Sequence, residues 1–523
     1  MVSALYFLKY NWIKQVKTYK FLFICIITVF LGYLCVPSVT AGYEVIYLGG
    51  VRGIYNSAWL GAVGALLPSV LLWLPCFYYL RSQISEDERF ELSNIIASTP
   101  INKFQYILGK IISNFLILVS FAFIFMMALV IMQFVKGEAF TLDLRQYIVP
   151  FIVITIPNLF ILSVLTIFFD VYDILKGTLG NIVIFIIWIV LLSISATTQK
   201  SSYDLFGIGT VLKEMTQGAQ KVFPEIQPDI GGLGFNITNG RTITFMWHGM
   251  LWDKSFLVSR IIWMLGGALI ACLSTLRFDG FVKRSNLLAQ NDASKIKHKM
   301  NDTIETEHKM NEAIPINLTI SSIYRNKSKI PIFKLIKYEI KLMMLECKWW
   351  WYFISIICVV LSFVLPIQYI YSGLYLMMIL PIGIWSQMGC RENYYFTTEL
   401  IESSCSLVYK KVAELLGGFG ISIIFSLGIL IKLSMQNDWQ LLTSWIIGIL
   451  FVPTLGLFLG SIFGNRRFFE AVYIILFYFG PLNGIPFLDF LGVKQSNTSI
   501  FFMITIILIL ILYCIAKYIK KEQ

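Results

Sequence analysis

The sequence predicts an all-α polytopic membrane protein with about 12 transmembrane helices, arranged as two tandem six-helix halves, each preceded by an amphipathic elbow helix. Three observations support it. Of 523 residues, 57% are hydrophobic and only 14% charged, whereas about a quarter of residues are charged in soluble proteins. Apolar runs of roughly 20 residues, long enough to cross a bilayer as helix, recur along the whole chain. The stretch "FLKYNWIKQVKTYK" at 7–20 is echoed by "LIKYEIKLMMLECK" at 335–348, with Lys9-Tyr10 falling on Lys337-Tyr338 and Lys20 on Lys348 at a shift of 328.

In chain order, the apolar segments fall at about 21–37, 57–80, 111–134, 147–169, 178–196 and 256–276, then 350–369, 373–390, 412–431, 440–463, 468–486 and 498–516. With both termini inside, the cytoplasmic segments hold 31 Lys/Arg and the external ones 10, with Arg260 inside a span. The positive-inside rule therefore predicts an integral protein with N- and C-termini cytoplasmic, and a bacterial cell membrane is the expected location. The same distribution places the formal charge of +12 at the membrane surface and gives no reason to expect nucleic acid as a partner. The basic N-terminal stretch lacks a clear cleavage pattern and reads as a retained helix.

The repeat divides the chain into a first half, 1–277, a polar linker, 278–332, and a second half, 333–523. The linker is rich in Lys, Glu and Asn and reads as solvated chain, with His298 and His308 giving only a weak metal-binding signal. No C-x-x-C occurs among the nine cysteines, so neither a disulfide framework nor a zinc site is expected. The halves differ in their fifth-to-sixth connection, which is long in the first (197–255) and short in the second (487–497). Within the long loop, Val211, Leu212, Met215, Ala219 and Val222 share one helical face, which predicts an external cap that lies over the outer mouth without contributing to folding.

Between the second and third segments runs "SEDERFELSNIIASTPINKFQYILGK" (85–110). Ser85 and Glu88 have capping-box spacing, and Glu86, Asp87, Glu88 and Glu91 put negative charge in the first turns, where the helix dipole favours it. Leu92, Ile95 and Ile96 form an apolar stripe, and Pro100 ends the helix near Ser98, leaving Thr99 to cap the next one. A headgroup-bound helix would prefer a basic polar face. An acidic one with exposed aliphatics suits docking to a soluble partner.

These features, "LKYNWIKQVK", "EDERFELSNIIASTP" and "YILGK", resemble the elbow helix, coupling helix and third-span start of ATP-binding cassette (ABC) exporter permeases of the type-two class. The second half matches through "RENYYFTTELIESSCSLVYKKVAELL", which keeps Glu399 and Glu402 but has no Pro. The resemblance implies that Glu86, Asp87, Glu88, Glu91, Leu92, Ile95, Pro100, Glu399 and Glu402 meet two cytoplasmic nucleotide-binding ATPase subunits, and that the chain lines the path of a transported substrate. The chain has no G-x-x-x-x-G-K-[ST] loop, so it is expected to carry no cofactor of its own, with ATP held by the partner subunits. It is read as a transport subunit, with no catalytic or metal site. Two alternatives are a secondary active transporter with 6+6 spans, which calls for midplane ionisable groups, and a membrane-embedded transferase, for which the three His residues supply few candidates.

Overall fold

A computed structural model describes the chain except for residues 1, 39–41, 90–91, 100, 177, 199–201, 226–230, 238–242, 279–331, 367–368, 370–372, 399, 402–405, 483, 485–486, 494–497 and 520–523. It is 77% helical. Among the described residues, seven helices are long and apolar enough to cross a membrane, or ten if each of three bent pairs is one span. The protein is therefore a helical, polytopic integral membrane protein. The linker, with His298 and His308, lies outside the described residues apart from its end residues.

The bends have local causes. Tyr6–Val16 turns by 68° into Tyr19–Leu34, where Thr18 caps the second helix by accepting from Phe21 N–H at 3.3 Å. Its counterpart, Ile332–Leu345, turns by 111° into Trp349–Val364. Ser57–Leu71 and Trp73–Arg89 meet at 47°. There Pro75 has no N–H to return to the Leu71 carbonyl, so the helix opens at Leu72. In Leu144–Val171 a π-turn at Phe151–Thr155 sits between Pro150 and Pro157.

Each expected apolar run coincides with a helical segment among the described residues. The first half has Tyr19–Leu34, the bent Ser57–Leu71 and Trp73–Leu80 pair, Lys103–Lys136, Leu144–Val171, Thr178–Thr197 and Lys254–Arg277. The second half has Trp349–Val364, the short Leu374–Trp385, Leu407–Met435, Trp439–Phe463, Arg466–Phe477 and Thr498–Ile519. Two expected second-half segments are shorter than the sequence predicts. Leu374–Ile379 is wound as a 3-10 helix ahead of Pro381, and Arg466–Phe477 passes into a π-turn containing Pro481. The halves join at the centre, where Trp73–Leu80 packs on Arg466–Phe477 and Phe23 and Trp188 meet Phe468 and Tyr478.

The long helix Lys103–Lys136, about 51 Å at 1.5 Å per residue, separates two faces. Its Lys136 end carries a small mixed sheet of order β3-β1-β2-β4, made of Tyr43–Leu48 (β1), Val51–Gly53 (β2), Gly231–Ile237 (β3) and Ile243–Phe245 (β4). β1 and β2 are joined by Gly49-Gly50, both at positive φ (60° and 103°), as a tight hairpin demands. Arg52 pairs with Glu44 (2.9 Å) and Glu138 (2.6 Å), pinning the sheet to the end of the long helix.

The cap is thus built from the connections 43–53 and 231–245, pinned by Glu138 of a third, and its expected independence from the fold is corrected. Val211, Met215 and Ala219 are fully buried, while Val222, beyond the helix Ile208–Gln220, is 54% exposed. Asp204 accepts from Ser195 Oγ (2.6 Å), Gly207 N–H (2.7 Å) and Thr210 N–H (2.9 Å). Arg260 donates to the Asp204 and Leu205 carbonyls, both at 2.5 Å, so the cation that looked stranded in a span is the peg of the cap. Trp59 meets Phe245 and Trp247 edge-on within the main core.

Candidate functional site

The opposite face carries two short helices, the first of them acidic. The first is Gln83–Arg89, two residues earlier than the expected start, so Ser85 lies inside it and does not cap it. Ser82 takes a left-handed φ of 69° and gives its N–H to the Asp170 carboxylate (2.7 Å), so the chain reverses there and the helix nucleates at once. Leu92–Ala97 follows, closed by Ser98 and Thr99 hydroxyls that donate back to the Ile95 and Ile96 carbonyls, both at 2.7 Å. Thr99 therefore ends one helix and does not begin the next. Asn102 caps the long helix, with Gln105 Oε1 accepting from the Asn102 N–H at 3.3 Å.

The predicted site residues divide. Glu86 and Glu88 are half-buried, Leu92 is half-buried and Ile95 is 63% exposed. Asp87 points inward and is 3% exposed. Lys110 Nζ lies 2.6 Å and Lys14 Nζ 3.8 Å from its carboxylate, and Tyr106 donates to it at 2.9 Å. Its place is a buried junction of the N-terminal helix, the short helix and the long helix. Glu91, Pro100, Glu399 and Glu402 lie outside the described residues.

The second half builds a junction at the same place with different residues. Glu339, on Ile332–Leu345, pairs with Arg391 (3.0 Å), and the neighbouring Glu392 pairs with Lys410 on Leu407–Met435. Both junctions use the residue that follows the repeated Lys-Tyr. Asn11 accepts from Lys110 at 3.2 Å, and Glu339, at the same shift of 328, takes Arg391. The close approach is kept too, since a Cβ on Gly109 would meet Phe7 and one on Gly417 would meet Ile340.

Between the halves, on this face, lies a cavity of about 500 Å³. The same three junctions of each half line it. The start of the first segment gives Lys20 and Lys348, the end of the second gives Glu86 and Gln387, and the turn between the fourth and fifth gives Lys176 and Arg466. Arg89 crosses from one half to the other. Its guanidinium sits 4.4 Å from the Tyr394 ring centre and 4.8 Å from that of Phe396, and donates to the Asn393 carbonyl at 2.8 Å.

The Arg89 bridge and the matched lining were not read from the sequence, although the Lys20–Lys348 match was the signal for them. Among the described residues no cluster of three or more His, Cys, Asp or Glu is arranged to hold a metal. The chain matches no family model, no curated protein and no solved structure.

Proposed function

We propose that this chain is the membrane permease subunit of an ABC-type exporter, forming the translocation pathway and driven by two separate cytoplasmic ATPase subunits that hold the ATP. The observation that carries this is the cavity lined by equivalent junctions of both halves and bridged by the two segments that follow each second helix. A load applied to those segments from the acidic-helix side changes this chamber, which both halves line. In this reading that face is cytoplasmic, the sheet face is external, Val2–Val16 and Ile332–Leu345 are elbow helices, and the six segments per half are twelve spans.

The docking surface is the exposed side of the short segments. Ile95 and Leu400 are 63% and 71% exposed, and Glu88 is half-buried. Asp87 serves this surface from behind, transmitting its position to the long helix. Affinity purification of the tagged chain from its native host tests the reading, with a complex of one permease and two ATPase chains as the expected mass. Hydrolysis of ATP by the purified chain alone, or no ATPase in the complex, would refute it.

A further inference from the structure

From the cavity's chemistry we infer that its ligand is an anionic amphiphile, a molecule with a phosphate- or carboxylate-type head and an apolar body. This deepens the transport reading and rests on it for the ligand's role as cargo. The lining holds six cations, Lys20, Arg89, Lys176, Lys348, Arg466 and Arg467, against three acids, Glu86, Glu346 and Glu470.

Not all of that charge is available. Arg466 is engaged by Glu346, Lys176 by Asp173 (2.7 Å), and Arg89 by the aromatic bridge. Lys20, Lys348 and Arg467 make no ion pair among the described residues; Lys20 feels the Glu86 charge and Arg467 faces the buried Asp170, but Arg467 Nη1 is enclosed with no hydrogen-bond partner among the described residues. Lys20 and Lys348 are the repeat-related pair, so one lysine from each half faces the same chamber.

Two further groups ask for a polar partner. Asn181 and Gln387 line the cavity at 5% and 3% exposure, and the Oδ1 of one and the Oε1 of the other make no hydrogen bond among the described residues. Buried amide ends left open are costly unless something fills them. An amide can accept from a headgroup hydroxyl, or turn over to donate to an oxyanion. Part of the remaining wall is apolar and aromatic, with Ile174, Trp350, Trp351 and Ile384, beside Ser82, Ser85, Ser386 and Asn465. A small inorganic anion would leave that wall unused, and a neutral lipid would leave the cations unmatched.

The test uses the full chain in neutral maltoside micelles, with native mass spectrometry reading bound ligand. The probes are dihexanoyl phosphatidic acid, dihexanoyl phosphatidylcholine and inorganic phosphate. The anionic lipid is expected to bind at least about tenfold more tightly than the zwitterionic one, as charge-assisted hydrogen bonds would give. K20A/K348A should remove that preference and K20R/K348R should keep it. On the wild type alone, raising salt should weaken the anionic probe and leave the zwitterionic one unchanged, which decides the matter even where the double variant fails to fold.

Equal affinity for the two lipids, or an unchanged preference in a folded K20A/K348A, overturns the inference. Displacement of the lipid by equimolar inorganic phosphate also overturns it, in favour of a small free anion. The assay needs no ATPase, so the two readings fail separately. Lost anion preference in a chain that still copurifies with its ATPase removes the ligand class alone, and anion preference without an ATPase partner removes the exporter alone.

Discussion

The two halves hold their short segments by the same three elements, yet with the charges arranged differently. In the first half a single buried carboxylate, Asp87, gathers Lys14, Lys110 and Tyr106. In the second the work is spread over two pairs, Arg391–Glu339 and Lys410–Glu392, and the helix that gave a lysine in the first half gives an acid. What the two halves share is therefore the location of the junction, where a bent N-terminal helix, a turn and a long helix meet. Which residue carries which sign is free to drift so long as no charge is left alone.

The sharpest way to break this comparison is to orphan one charge in each half. Asp87→Ala leaves Lys110, 2% exposed, without its carboxylate, and uncompensated buried charges of this kind cost about 3–5 kcal/mol. Glu392→Ala should cost less, because Lys410 keeps the buried Glu414 one helical turn away on its own helix. Melting of each variant in detergent measures both. D87A/K110A should be milder than D87A, since removing both partners is often close to neutral. Equal losses in the two halves would show that the single-carboxylate junction is no tighter than the divided one.

Next in size is the cap, which the second half lacks. Arg260→Ala removes two hydrogen bonds from a buried cation to the Asp204 and Leu205 carbonyls, worth about 1.5–3 kcal/mol for charged groups. Earlier proteolysis in the loop 197–255 and a lower melting point are expected. Deleting 205–240 should impair folding in the membrane, because Val211, Met215 and Ala219 belong to the main core. Normal insertion and melting of that deletion would return the cap to a peripheral role.

The sequence carried the coarse fold plainly and the site only in part. Composition and apolar runs are global signals, and they gave a polytopic helical protein. The Lys-Tyr echo located both bent surface helices. The strand pair around Gly49-Gly50 was missed although "YEVIYLGGVRG" carries a hairpin signal, Gly-Gly between β-branched and aromatic residues, because it sits in a short connection between spans. The inward facing of Asp87 was not read, because charge counting near a helix start ignores facing. Ile84 and Asp87 are three residues apart on one helical face, both buried, and that spacing was the legible clue. The early helix start at Gln83 depends on the distant Asp170, which no local pattern shows.

A third difference is chemical and confined to the sheet face of the first half. Burial would by itself raise the Glu138 carboxyl, but the Arg52 hydrogen bonds and charge, with the Tyr55 N–H, outweigh it and hold the group below the ordinary carboxylate range. A lowered folded value means the contribution is present above the unfolded value, about 4.3, and is lost as pH falls through the lower folded value. Mild acid should therefore loosen the cap before the second half. Cleavage near the helix Ile208–Gln220 should rise below about pH 4. Glu138→Gln should show that susceptibility already at neutral pH, and a flat pH profile in the wild type would dismiss the Arg52 anchor.

The smallest energetic effect is expected where the halves touch. Arg89 lies over two partly exposed rings, Tyr394 and Phe396, and such contacts contribute about 0.5–1 kcal/mol each at exposed sites. Arg89→Ala should barely change melting, yet it removes a strut across the mouth of the cavity. Cys347, in the lining, reports on this. Burial, aided by the nearby Glu346 charge, pushes its thiol up to about 11, so little thiolate is present at neutral pH. Opening the cavity at Arg89 rehydrates the thiol, lowers its pKa and exposes it. Maleimide labelling at Cys347, read by peptide mass mapping, should therefore speed up severalfold in R89A. Arg89→Lys keeps the charge but not the flat stacking surface and should fall between. Unchanged labelling in R89A would mean that the two segments meet without closing anything, and that the cavity stays shut by the packing of Trp73–Leu80 on Arg466–Phe477 alone.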